Sequence, residues 1–207
     1  MRGAGLGVAL LFATATTPAQ TQAPDREAGE WQFAATLDGK PIGTHRFVVS
    51  GPPEARRVES RANLVVRLLG IPVYRYTHQA WERWQADCLR ELSSTTDDDG
   101  KQQTVTRRYG PDCLMAYAYW NPRLVQQARL VDPQTGRVDA VRFERVADAP
   151  IDVRGQALPA QGWRLISDTQ RITVWYASES GRWIALDAEA RGGRRLSYRI
   201  AAENASP

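Results

Sequence analysis

The chain contains two histidines, His45 and His78, the side chains best suited to acid–base chemistry near neutral pH. A serine hydrolase needs such a histidine beside its nucleophile, which in one large class sits on a sharp strand-to-helix turn. Both histidines instead fall in extended segments, GTHRF and RYTHQAW, and the sequence has no GxSxG, HExxH, GxGxxG or P-loop motif. The motifs therefore assign no catalytic residue. A secreted hydrolase using carboxylates or His78 stays open, because paired carboxylates are recognised by their distance in space.

Two cysteines, Cys88 and Cys113, flank the acidic segment DDDG. A tight turn at Asp99–Gly100 would bring the cysteines within about two residues of facing each other, an offset that a β-bulge could absorb. The pair lacks CxxC spacing, and the chain offers too few further cysteines and histidines for a zinc site. We therefore predict a structural disulfide, which would contribute on the order of 3 kcal/mol to stability and suits an oxidising compartment.

The three aspartates Asp97–Asp99 before Gly100 could suggest calcium binding. An EF-hand loop aligned on this glycine would place Thr95 first and Thr106 twelfth, where carboxylates are required. A tight hairpin turn explains the same residues, because Asp and Gly both tolerate a left-handed backbone. The sequence therefore predicts a turn here, with no metal and no cofactor.

Aromatic side chains are numerous, with seven Trp and seven Tyr but four Phe. Trp and Tyr combine a large apolar face with a polar group, which suits the walls of ligand cavities. The segment 73–84 (VYRYTHQAWERW) is predicted as a long strand whose alternate residues share one side. One side carries Arg75 and Arg83, which prefer water, so we predict that the other side faces inward. His78 and Glu82 would lie there, hydrogen-bonded to each other or to a ligand head group.

The predicted ligand-binding residues are this inward side together with aromatics near breaks or in the last strands: Tyr74, Tyr76, His78, Glu82, Trp84, Tyr119, Trp120 and Trp175. Ordinary core packing is the alternative explanation for each of them.

The elements that must position these residues are strands. Apolar residues alternate from Trp31 to Leu37, and the same period recurs along the chain between turns such as DGKP, SESG and RGGR. Roughly ten to twelve strands indicate an all-β fold, an antiparallel meander that forms a curved sheet or incomplete barrel. One short helical segment is predicted near 122–129, with Asn121 as its cap. The stretch 147–160, rich in Pro, Ala and Gly, is predicted to be a loop.

The N-terminus has the pattern of a secretory signal: Arg2, an uncharged apolar run over 6–15, and small residues at Thr17 and Ala19. This run is shorter than the roughly 20 residues that span a bilayer. We predict a signal peptide over 1–19 cleaved after Ala19, a flexible segment over 20–29, one β domain over 30–202 and a tail over 203–207. The protein would then be periplasmic or secreted, with no stable membrane anchor.

Composition argues against nucleic-acid binding. The net charge is +4, with 43% hydrophobic and 24% charged residues, values typical of a globular domain. A nucleic-acid binder would concentrate its Lys and Arg in one stripe, whereas the arginines here are scattered along the predicted strands.

Several segments resemble a bacterial exported family whose domain has no assigned function. They are LDGKPIGTHRF (37–47), LGIPVYRYTHQAWERW (69–84), DCLRELSSTTDDDGK (87–101), AYWNP (118–122), LVDPQTG (130–136) and GGRRLSYRI (192–200). The last strands, over 172–200, are also similar to LolA-type lipoprotein carriers and related envelope proteins. That second resemblance implies a curved antiparallel sheet wrapped around an apolar cavity.

The leading hypothesis is a non-enzymatic exported envelope protein that holds an apolar or amphipathic molecule, such as a lipid, in the curved sheet. The secreted hydrolase is a second hypothesis. A third is a protein-interaction module of the cell envelope, binding through a sheet edge or exposed aromatics. A deep apolar cavity, a polar cleft with converging carboxylates, and a filled core with a flat aromatic patch would distinguish the three.

Overall fold

A computed structural model describes residues 27–204, and 69% of these form β-strands. The predicted signal peptide, most of the segment 20–29 and most of the tail lie outside the described residues and stay predictions. The strands are β1 (Gly29–Leu37), β2 (Lys40–Ser50), β3 (Arg57–Leu68), β4 (Ile71–Gln85), β5 (Cys88–Asp98), β6 (Lys101–Arg108), β7 (Met115–Ala116), β8 (Arg129–Val131), β9 (Val138–Ala140), β10 (Arg142–Val153), β11 (Gln156–Ile166), β12 (Arg171–Ala177), β13 (Trp183–Ala190) and β14 (Arg194–Asn204).

Eleven of these strands form one antiparallel sheet in the order β10-β11-β12-β13-β14-β1-β2-β3-β4-β5-β6. The order is that of two meanders joined where β14 pairs with β1. The two edges, β10 and β6, are not paired with each other, so the sheet does not close into a barrel. The predicted all-β antiparallel fold, a curved and incomplete barrel, is confirmed.

The connection between the two sheet edges, residues 109–141, packs against one face of the large sheet, which we call the inner face. It contains a small sheet in which β7 pairs parallel to β8 and β8 pairs antiparallel to β9. Its apolar side chains are buried in the common core, including Met115, Ala116, Leu124, Leu130 and Val131. The inner face is therefore covered by the chain that joins its own two edges.

Strand β4 shows how sequence alternation sets the inner face. Residues Tyr74 to Trp84 with even numbers are buried or half-buried, and those between them are mostly exposed. Ala80 and Trp84 are among the most buried side chains of the strand, whereas Arg75 and Arg83 face water. The predicted inward side of this strand is confirmed.

Cys88 and Cys113 form a disulfide, as predicted. The β5–β6 pairing keeps one register from Asp98–Lys101 to Glu91–Arg108 without a bulge. The two-residue offset between the cysteines therefore arises after β6 ends, in the irregular segment that leads to Cys113. This segment is held to β5 by a hydrogen bond of 2.8 Å from the Leu89 amide to the Leu114 carbonyl.

The predicted loop over 147–160 is wrong, because these residues form most of the β10–β11 hairpin around a turn at Arg154–Gly155. Pro150 and Pro159 face each other in this hairpin. Proline is tolerated there because β10 is an edge strand, and β12 begins to pair with β11 only at Ala160.

The predicted helical segment is a 3₁₀-helix over Pro122–Gln126, capped by Asn121, whose Oδ1 accepts from the Arg123 amide at 2.9 Å. Two further 3₁₀-helices cover Pro53–Ala55 and Arg191–Gly193. Within residues 27–204, no helix has the length and apolar character needed to cross a membrane.

Candidate functional site

A cavity of about 330 Å³ lies between the inner face of the large sheet and the overlying segment 117–134. Strands from both meanders contribute to it, so the cavity exists because the sheet curves around this segment. Its volume falls at the lower end of the range for small-molecule sites, about 300–1,000 Å³.

The apolar wall of the cavity is built around Trp183 of β13. Its ring centroid lies 4.1 Å from that of Phe33, 5.1 Å from Phe47 and 5.3 Å from Tyr119. The indole Nε1 donates to the Ala185 carbonyl at 2.9 Å, so the buried polar atom of this tryptophan is satisfied. Smaller aliphatic side chains also line it, including Val58, Ala118, Ile172, Leu186, Ala188 and Leu196.

The polar wall follows one row of the sheet register. His45 on β2 pairs with Ala62 on β3, which pairs with His78 on β4 and then Thr96 on β5. The two histidines are thus two strands apart, about 10 Å between their backbones, with the small side chain of Ala62 between them. His78 Nδ1 and Thr96 Oγ1 share a hydrogen bond of 2.8 Å.

His45 has no polar partner in the described part of the chain. Its ring stacks on Phe47 with centroids 4.1 Å apart, and both ring nitrogens are buried without a hydrogen bond among residues 27–204. Burial, with a smaller effect from the charge of His78, lowers the pKa of His45 to about 3. The imidazole is therefore neutral at physiological pH, with one unsatisfied donor and one unsatisfied acceptor.

Glu82 lies two residues along β4 from Ala80 and also lines the cavity. Its Oε2 accepts from the Trp84 indole Nε1 at 2.8 Å, and burial raises its pKa to about 7. Of the two arrangements predicted for His78 and Glu82, the hydrogen bond to each other is not formed, because their partners are Thr96 and Trp84. The other arrangement, a hydrogen bond to a ligand head group, stays a prediction. Burial also lowers the pKa of His78, against a smaller opposing effect of Asp132. We call the polar lining residues His45, His78 and Glu82 the polar cluster; Glu82 lies four residues along β4 from His78, about 13 Å at 3.3 Å per residue.

A hydrogen bond across the cavity joins the sheet to the overlying segment. The Tyr76 hydroxyl donates to Gln134 Oε1 at 3.2 Å, and the nearby Ser94 hydroxyl donates to the Pro133 carbonyl at 2.6 Å. Burial raises the pKa of Tyr76, which stays protonated and can act as the donor.

The structure brings together five of the eight residues predicted to bind ligand. Those lining the cavity are Tyr76, His78, Glu82, Tyr119 and Trp120. Trp84 lies behind them, buried, with its ring 5.4 Å from Trp120. Tyr74 lies farther along β4, where its hydroxyl donates to Asp98 of β5. Trp175 lies on the opposite face of the sheet, where its Nε1 donates to Asp187 at 2.9 Å.

Sequence reasoning missed four prominent lining residues: His45, Phe47, Trp183 and Tyr198. The first two could have been found by extending the β3–β4 register to β2, because they share the side of the sheet that carries His78. The other two reach the site only through the β14–β1 pairing, which joins distant parts of the chain and leaves no local pattern.

Comparisons with known proteins identify a family for the chain, and that family has no assigned function. The model of the family described as "Domain of unknown function (DUF6134)" matches residues 33–201. No curated protein matches the sequence. Among solved structures, the chain is similar to one titled "Crystal structure of MucB", with 12% identity, a TM-score of 0.33, and coverage of 89% of this chain and 55% of that one. The chain thus spans about half the length of that neighbour.

Proposed function

The chain belongs to the DUF6134 family, and we propose that it is an exported protein that binds an apolar or amphipathic molecule in the cavity of its curved sheet. The observation that carries this proposal is the cavity itself, in which an aromatic and aliphatic wall around Trp183 faces a polar cluster. This is the usual composition of a small-molecule site, where apolar walls supply affinity and a few polar groups fix orientation.

The unpartnered imidazole of His45 supports ligand binding at the polar end. A buried polar group without a partner costs about 1–3 kcal/mol, and His45 has two such nitrogens beside an open volume. A protein that gained nothing from this histidine would be more stable with Phe at the same position, stacked on Phe47. A ligand group that both donates and accepts, such as a hydroxyl or an amide, would satisfy the ring after a small rotation.

The size of the cavity limits the ligand. A volume of about 330 Å³ suits a small ring compound or one acyl chain. The apolar wall would hold the chain, and the polar cluster would lie beside its head group.

Export is supported by the disulfide between Cys88 and Cys113, because such bonds persist in oxidising compartments. The predicted signal peptide over 1–19 points to the same compartment.

The test is saturable binding of a fluorescent fatty-acid probe, preceded by native mass spectrometry for a co-purified molecule. Ala188→Leu would fill part of the cavity and should weaken probe binding at least tenfold. Ala34→Leu adds the same atoms at an exposed position of β1 and should leave binding unchanged. The proposal fails if the wild-type protein shows no saturable binding of probes of any chain length, or if both variants behave alike.

A further inference from the structure

The hairpin formed by β3 and β4 projects beyond the rest of the sheet. Strand β2 pairs with β3 only as far as Leu64, and β5 pairs with β4 only as far as Tyr76. Beyond these points β3 and β4 continue as a pair up to Leu68–Ile71. The turn after β5 contacts only the base of this pair, where the Asp99 amide donates to the Arg75 carbonyl at 2.8 Å. Residues 65–75, which we call the hairpin tip, thus form a two-stranded ribbon about 13 Å long at 3.3 Å per residue.

The end of the hairpin tip is apolar and exposed to water. The exposed fractions are 94% for Leu69, 66% for Ile71, 62% for Leu68 and 52% for Val73. Single exposed apolar residues are common, but four large aliphatic side chains at one projecting end form a patch of the kind that marks an interaction site.

Turn chemistry gives no reason for the leucine at the end of the hairpin tip. Leu69 has φ 50° and Gly70 φ 84°, a two-residue turn that normally takes Asn, Asp or Gly first. The left-handed conformation disfavours leucine. Of the comparable turns of this chain, Asp38–Gly39 and Asp99–Gly100 carry Asp at that position and Arg154–Gly155 carries the polar Arg. Leu69 therefore lowers both the stability of its turn and the solubility of the surface.

We propose that the hairpin tip docks on the surface of a phospholipid membrane, with Leu68, Leu69 and Ile71 inserted at the boundary between head groups and acyl chains. Leu68 and Ile71 pair directly and share one face of the ribbon, and Leu69 lies at its end, so a lipid layer can surround all three. A protein groove would cover one face and would be expected to meet aromatic anchors and a polar rim. Residues 67–72 at the end of the tip include no aromatic side chain.

The charges of the hairpin tip favour an anionic lipid surface. Residues 65–75 include Arg67 and Arg75 and no Asp or Glu. Asp98 and Asp99 of the next turn lie at the base of the tip, against Tyr74 and Arg75, so Arg67 is the charge nearest its end. Both arginines are exposed, and Arg67 Nη1 donates to the Gly70 carbonyl at 3.3 Å, close to the end of the turn. Long arginine side chains can lie along the apolar ribbon and reach lipid phosphates. Tyr76, at the base of the tip, lines the cavity, so docking would bring that end of the cavity toward the membrane.

The experiment measures vesicle binding by flotation, using phosphatidylethanolamine–phosphatidylglycerol vesicles and neutral phosphatidylcholine vesicles. The double variant Leu69→Asn/Ile71→Thr suits the backbone, because Asn tolerates the left-handed turn and Thr is a good strand former. The matched control is Val138→Thr, which removes an exposed aliphatic side chain from the small sheet. All proteins share the same N-terminus, so differences between them report on the substituted residues.

We expect the double variant to bind anionic vesicles at least tenfold more weakly, with an unchanged melting temperature, and Val138→Thr to bind like wild type. Each of Arg67→Gln and Arg75→Gln should lower binding to the anionic vesicles about fivefold, with little effect on neutral ones. The proposal is overturned if the double variant binds vesicles as well as wild type does. It is also overturned if the wild-type protein does not bind vesicles but forms dimers that the double substitution dissociates. The tip would then be an interface between two copies of the chain.

Discussion

Because Glu82 is buried, the free energy of unfolding of the protein should fall as pH rises. The pKa of this carboxyl is raised from 4.5 to about 7 because its charged form is desolvated, and one hydrogen bond from Trp84 only partly offsets this. The protonated form therefore favours the folded state. This contribution is fully present below pH 4.5 and is lost as pH rises through 7, and the pKa difference corresponds to about 3 kcal/mol.

The substitution Glu82→Gln isolates this contribution. The amide is neutral at every pH, nearly isosteric, and can still accept from the Trp84 indole. The free energy of unfolding of the variant minus that of wild type should rise by about 2–3 kcal/mol between pH 5 and pH 8.5. The variant must be compared with wild type because His45 has the opposite effect on both proteins. Its pKa is lowered by burial, so the protein loses stability as pH falls below 6.5.

Urea denaturation followed by tryptophan fluorescence at four pH values would measure this difference. Glu54→Gln, which removes an exposed carboxylate remote from the cavity, is the matched control. If the difference in the free energy of unfolding between wild type and Glu82→Gln changes by less than about 0.5 kcal/mol over this pH range, Glu82 is not desolvated. The description of the polar cluster would then be wrong.

Three further predictions concern the fold and its processing. Thiol titration of the unfolded, unreduced protein should find no free thiol, and replacing Cys88 and Cys113 together by Ser should lower the free energy of unfolding by about 3 kcal/mol. Gly43→Ala should lower the melting temperature sharply, because a Cβ there would lie 2.0 Å from the Asn63 carbonyl oxygen and the backbone has φ 144°; an unchanged melting temperature would refute this close approach. N-terminal sequencing of the exported protein should begin near Gln20, and a retained Met1 would contradict the predicted signal peptide.

The fold class could be predicted because its signals are local. The period of two along β4 follows from the geometry of one strand, so the buried side of Tyr74 to Trp84 could be assigned without knowing what covers it. The disulfide followed from one hairpin register. The loop predicted over 147–160 failed because proline and glycine weaken a strand pattern even where an edge position tolerates them.

The lining of the cavity could be predicted only in part, because it depends on contacts between residues far apart in the chain. The pairing of β14 with β1 brings Trp183 and Tyr198 beside Phe33 and His45. The segment 109–141 then covers the inner face and leaves an unfilled volume over the polar cluster. Sequence alternation determined which side chains point inward. Only the curvature of the sheet and the path of this segment decided that some of them face a cavity, because packing depends on distances across the whole domain.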